Sequence, residues 1–275
     1  LATPAAELQR SHGTVELSFR THGPRTVLER VYQQGCSRVR FPGRASEDYR
    51  EAVLMNTAGG LADGDTLEQS VACAGAARAL VTTQAAERVY RAIAGPARVR
   101  TRIELDDGAT AAWLPQEMIL FDGARIERDL DISLRGSATI LAVDSLVLGR
   151  RAMGETLRRG RARDRWRLRV DGRLAFADTL LFDERRAALD RQAGRPAVLA
   201  GATAFATLLY AGPTADAEPL RAALAASEVV SGVSAPGAVV IARIVAQASA
   251  PLRDAIARCF AATGLGFDLP RVWYC

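Results

Sequence analysis

The chain has no lysine; all 36 of its basic residues are arginines. That absence removes whole chemistries. A phosphate-cradling G-x-x-x-x-G-K-[ST] loop needs its lysine at the phosphates, and Schiff-base catalysis needs a lysine amine. Any nucleotide hydrolysis the chain depends on must therefore come from a partner. Histidine is almost as scarce: His12 and His22 are the only two, and they stand outside any H-x-x-x-H or H-E-x-x-H arrangement. Without an imidazole set, a tight zinc or nickel site is not expected. The same scarcity, with no G-x-S-x-G, argues against a serine or cysteine triad. The cysteines Cys36, Cys73, Cys259 and Cys275 form no C-x-x-C pair, which fits free thiols in a reducing, cytoplasmic setting. The opening LATPAAELQRSHG lacks the basic and apolar regions of a secretory signal. The longest uncharged run, Pro196 to Ala215, contains Gly201, Gly212 and Pro213, and reads as buried strands more readily than as a membrane helix.

What is present is ordinary globular material. Hydrophobic residues make up 49% and charged residues 24%, enough apolar surface for one continuous body over residues 1–275. The formal charge of +5 is mild. In the densest basic patch, RRGRARDRWRLRVDGR, Arg165, Arg167 and Arg169 alternate with Trp166, Leu168 and Val170, so a solvated strand face is favoured over a nucleic-acid site.

Period-two alternation recurs along the chain. Val15, Leu17 and Phe19 share one side of TVELSFR, and Val99, Thr101, Ile103 and Leu105 oppose Arg98, Arg100, Arg102 and Glu104 in RVRTRIEL. Further strands are predicted near 26–33, 36–41, 51–56, 66–73, 78–84, 110–114, 125–134, 138–143, 165–170 and 174–182, with Asp171-Gly172 as the clearest hairpin turn. Short strands at this spacing predict a mainly β sandwich, barrel or solenoid, and no fixed repeat selects among them. Helical periodicity is confined to the last quarter. APLRDAIARCFAATG gathers Leu252, Ile256, Cys259, Phe260 and Thr263, and TADAEPLRAALAAS, Thr214 to Ser227, is expected to be capped by Thr214 or Asp216.

The candidate chemistry is carboxylate-based. Asp144 ends ATILAVD, Glu117 interrupts WLPQEMILFDG, and Asp178 interrupts LAFADTLLF; a carboxylate in an apolar strand is costly unless paired or hydrated, and Arg88, Arg150 and Arg151 are available partners. Two such groups also serve glycan hydrolases or lyases, with Glu117 and Asp144 or Asp178 as the pair. NTAGGLADGD carries acids where a phosphate nest needs free N–H groups, so it reads as a turn between strands. VTTQAAERVYR begins as a strand, with Val81 and Thr83 on one side and Thr82 and Gln84 on the other. It then breaks into the polar cluster Glu87, Arg88, Tyr90 and Arg91.

The blocks LMNTAGGLADGD, VTTQAAERVYR, WLPQEMILFDGARI, LVLGRRAMGE and the closing PRVWYC stand in the order of the urease accessory protein UreD family, also called UreH, which the chain resembles from about Thr14 to its end. The resemblance implies a β-helix-like, solenoid-like fold with about two α-helices in the C-terminal quarter, and a maturation factor that is not an enzyme. It implies urease apoprotein and the accessory protein UreF as partners, with the GTPase UreG reached through the complex, and neither nucleic acid nor membrane. GTP would then be used by the partner, and nickel would be a transient cargo in a polar internal passage, with no tightly bound cofactor. The lining residues so implied are Asp63, Thr82, Thr83, Gln84, Glu117, Asp144 and Asp178. Arg88 would shape the passage, and Arg150 and Glu155 would serve either as a structural ion pair or in transport. Transient nickel contacts would fall to Asp63, Asp144 and Asp178, and the thiol of Cys275 would be an adventitious ligand.

Overall fold

The computed structural model describes residues 10–42, 48–150, 153–186, 189–195 and 198–274. Two sheets face each other. The open sheet contains β1 (His12–His22), β2 (Arg25–Gly35), β5 (Thr66–Ala74), β8 (Ala97–Leu105), β11 (Arg125–Leu134), β13 (Arg161–Val170) and β14 (Arg173–Asp183), in spatial order β14-β13-β11-β8-β5-β1-β2. The covered sheet contains β3 (Ser37–Arg40), β4 (Arg50–Asn56), β6 (Arg78–Thr83), β9 (Thr110–Leu114), β12 (Thr139–Leu148), β15 (Ala204–Ala211), β16 (Val230–Ser234) and β17 (Val239–Ala246). From β4 to β13 the chain alternates between the sheets and every like-sheet pairing is parallel, so it winds a β-solenoid of about four turns. This selects the solenoid from the three architectures that alternation alone left open. Antiparallel strands finish both ends: β2 and β3 at one, and β14 and the β15-β17-β16 run at the other.

In-register stacking builds the core. Leu17, Val71, Ile103, Ile132 and Leu168 lie side by side across five strands of the open sheet, all turned inward and buried. Outside, the same strands meet water, and most of the arginines found there are paired. Arg165 sits 2.7 Å from Asp129, and Arg161 sits 2.7 Å from Glu127, so acids of β11 neutralise the basic patch. The central strands of the covered sheet have no wet face. Leu80, Ala112, Leu114, Leu141 and Val143 pack under α2 (Glu218–Ala225) and α3 (Ser249–Ala262), and its strands β12 and β15 are buried almost throughout.

A third, narrow ladder closes each turn at one corner. Leu61 bridges Val89 of β7 (Glu87–Val89), Val89 pairs with Leu120 of β10 (Met118–Leu120), and Leu120 pairs with Leu148. All four side chains are buried. Leu120→Ala should cost about 3 kcal/mol, because the neighbouring turns hold the hole open; a urea titration measures it, and a loss below about 1 kcal/mol would mean that the corner collapses freely.

The expected elements are largely present. Asp171 and Gly172 carry positive φ of 48° and 78° and turn β13 into β14. The predicted helix 214–227 is shorter, spanning Glu218–Ala225, because Pro219 opens its first turn and Asp216 accepts the Glu218 N–H from outside it at 3.1 Å. A five-residue helix, α1 (Leu189–Ala193), was not foreseen. Among the described residues no helix is long and apolar enough to cross a membrane.

Candidate functional site: a polar band between the sheets

One stretch of the solenoid's interior carries charge among its apolar side chains. On β11 the inward residues run Ile126, Arg128, Leu130, Ile132 and Leu134, so strand alternation itself turns a guanidinium into the interior. The register sets Arg128 beside Asp164 of β13, and its Nη2 donates to Asp164 Oδ2 at 2.6 Å. Across the interior, Asp144 of β12 brings Oδ1 to 3.7 Å from Arg128 Nη1. Two aspartates thus share one guanidinium, and burial, only partly offset by Arg128, pushes the Asp144 carboxyl up to about 6.

The band continues in both directions. Towards β16, Asp144 is in register with Thr207 and Thr207 with Arg243. That arginine donates to Thr207 Oγ1 at 2.8 Å and also to Asp178. Towards β3, Thr101 Oγ1 donates to Gln69 Oε1 at 2.9 Å, beside Thr83 and Glu87. Glu87 is half-buried, and among the described residues no arginine lies within ion-pair distance of it. Its Oε1 accepts from Asn56 Nδ2 at 3.1 Å, and burial pushes its carboxyl up to about 7. A cavity of about 220 Å³, lined by Asn56, Thr83, Gln84, Glu87 and Arg88 among others, opens here. It shares Leu67, Gln69, Thr83 and Glu87 with a narrower cavity of about 50 Å³ that reaches Arg128 and Asp144.

Thr83, Gln84, Arg88 and Asp144 of the sequence candidates therefore line these cavities, with Gln84 and Arg88 exposed at the rim. Asp178 joins only at the far end, through Arg243. The others lie elsewhere. Thr82 faces the helical layer, where its Oγ1 donates to the Leu114 carbonyl at 2.7 Å and accepts from Trp273 Nε1 at 3.1 Å. Asp63 holds a corner loop, accepting N–H groups from Ile93, Ala94 and Gly95. Burial works to raise its pKa, but those donors and Arg10 outweigh it and hold the carboxyl below its ordinary value. Glu117 accepts from Ser249 Oγ at 2.5 Å and from Arg253 Nη1 at 3.0 Å, tying α3 to the covered sheet. Arg150 is 2.5 Å from Glu155 and stacks on Phe121, away from the cavities.

The cationic partners also differ from those expected. Asp144 pairs with Arg128, Glu117 with Arg253 and Asp178 with Arg243, in place of Arg88 or Arg150, because the packing of the two sheets and of α3 brings together residues far apart in sequence. Arg151 and Cys275 lie outside the described residues. Asp63, Asp144 and Asp178 are not brought together, and among the described residues no three His, Cys, Asp or Glu side chains converge as a metal centre. Sequence reasoning passed over Arg128 and Asp164, although one charged residue on an otherwise apolar strand face was a visible signal in RIERDLDISL and RARDRWRLRV.

Carboxylates committed to three separate arginines do not make an acid–base pair, so the glycan hydrolase or lyase reading fails, and a solenoid scaffold with a polar interior is the class that this geometry defines. Residues 11–274 match the family model described as UreD urease accessory protein. The urease accessory protein UreD of Rhizobium etli is 43% identical over 273 residues, covering 99% of this chain and 98% of the relative. That of Rhizobium leguminosarum bv. trifolii is 42% identical over 273 residues, and that of Rhodopseudomonas palustris is 41% identical over 266. The chain belongs to the UreD urease accessory protein family, and is accordingly a non-catalytic urease maturation factor.

Proposed function

We propose that the chain, acting as a single domain over 1–275, is the scaffold through which nickel travels from a GTPase-containing accessory complex to apo-urease in the cytoplasm. The observation that carries this reading is the polar band, because a solenoid core of this size has no packing need for the buried charges Arg128, Asp144 and Asp164 clustered between the sheets, with Glu87 and Thr101 lining the same cavity. Apart from the thioethers of Met55 and Met118, the donors that face the cavities are oxygens of carboxylate, hydroxyl and amide groups, without imidazole. Such a set fits a divalent cargo held weakly and exchanged, and not a resident metal. Thr83, Glu87 and Asp144 form the lining on this view, with Gln84 and Arg88 at its mouth and Asp178 at its opposite end. The partners are urease apoprotein and UreF directly, and UreG, which consumes the GTP, through the complex.

The test is a reconstituted mixture of apo-urease, the two accessory partners, GTP and nickel, with size-exclusion co-elution followed in parallel. Omitting this chain should abolish activation. Glu87→Gln should leave co-elution intact and lower activation severalfold. Full activation by a folded, complex-forming Glu87→Gln/Asp144→Asn protein would sink the conduit.

A further inference from the structure

Arg128 is out of place in a path for cations. Its side chain is buried, lines the narrower cavity, and lies between Asp164 at 2.6 Å and Asp144 at 3.7 Å. Stability does not account for it. A buried ion triad is often no more stable than apolar residues of the same volume, and the neighbouring inward side chains Val99, Ile126 and Leu130 are apolar. Nor is the cluster saturated: Arg128 Nε and Asp164 Oδ1 are buried without a hydrogen-bond partner. The guanidinium instead takes the position of a bridging cation, with one carboxylate arriving from each sheet. Without it, Asp144 and Asp164 would converge on a hole of guanidinium size, a two-carboxylate oxygen set suited to a divalent ion.

We propose that Arg128 sets the cation affinity of the passage: its guanidinium fills the site between Asp144 and Asp164 and so keeps that pair from trapping the divalent cargo. The inference rests on the conduit reading. No other charge facing the cluster does the same work. Glu87 is across the cavity and is itself an acid, Asp129 is held by Arg163 and Arg165 on the outer face, and Arg243 is engaged with Asp178 and Thr207.

The experiment is nickel(II) titration by calorimetry on the full chain and on Arg128→Met, which keeps a long apolar stem and removes the charge. Arg128→Met should gain a site that binds nickel about tenfold or more tightly than the parent. Adding Asp164→Asn should remove the gain, and Arg128→Lys, which keeps the charge, should show the parent affinity. In the activation assay Arg128→Met should be slow, because cargo is retained. If Arg128→Met is too unstable to titrate, nickel should rescue it, raising its melting temperature more than it raises the parent's. A folded Arg128→Met with parental affinity, or an unstable one that nickel does not rescue, overturns the proposal. Tight nickel binding by Arg128→Met with undiminished activation would uphold the role of Arg128 in affinity and remove the conduit reading instead.

Discussion

Asp144→Asn should make the folded chain more stable at pH 8 and at the same time less able to support urease activation. Asp144 and Asp164 share the single guanidinium of Arg128, so with both ionised the cluster carries one excess buried negative charge. Burial is the main reason that the Asp144 carboxyl rises to about 6, against the opposing pull of Arg128. A carboxyl whose folded pKa is raised contributes its stability below the ordinary carboxylate range and loses it as pH rises through the folded value. Ionised Asp144 is therefore a cost above pH 6, and Asn removes that cost while leaving the 2.6 Å pair of Arg128 and Asp164 whole. The expected gain at pH 8 is about 1–3 kcal/mol, shrinking towards pH 5, where protonated Asp144 and Asn are electrically alike. Urea midpoints at the two pH values measure it. A variant that is less stable at both would show that Asp144 is needed as an ordinary ion-pair partner and is not the surplus charge. Loss of activation alongside a gain in stability is the pattern of a residue kept for function.

How much of this was legible in the sequence depends on which faces of a strand are wet. β8, β11 and β13 alternate cleanly because their outer side chains meet water, and their spans, their apolar faces and the solvated arginines could be read directly. β12 and β15 are buried on both faces, so TILAVDSLVL and AFATLLYA show no alternation and give no sign of which way Asp144 points. β7 and β10 are three residues each, too short for any period, which left Glu87 looking like part of a loop cluster when it belongs to the third ladder and lines both cavities. The solenoid winding was beyond a chain with no fixed repeat, because parallel pairing is made between strands about thirty residues apart and leaves no local mark. Only the resemblance of whole sequence blocks supplied it.

Glu117→Ala should behave in the opposite way to Asp144→Asn: a large loss of stability, with activation kept by the molecules that remain folded. Glu117 is buried, and its partner Arg253 has a side chain only 19% exposed, set at the join between α3 and the covered sheet. Arg253 also donates to Gln116 Oε1 at 2.7 Å and to the Trp273 carbonyl at 2.9 Å, so the pair anchors the C-terminal turn together with the helix. Removing the carboxylate strands that guanidinium in a poorly hydrated place and leaves Ser249 Oγ without its acceptor, at a cost of about 3 kcal/mol. Glu117→Met with Arg253→Met should cost clearly less than the sum of the two single changes, because no unpaired charge is left behind. Denaturant titrations of the four proteins close that cycle, and additive losses would mean that the pair contributes no coupling. The activation assay then separates two roles for the same residue type. As the acid and base of one enzyme site, Glu117 and Asp144 would fail together; as a helix anchor and a lining group, they should move stability and activation in opposite directions.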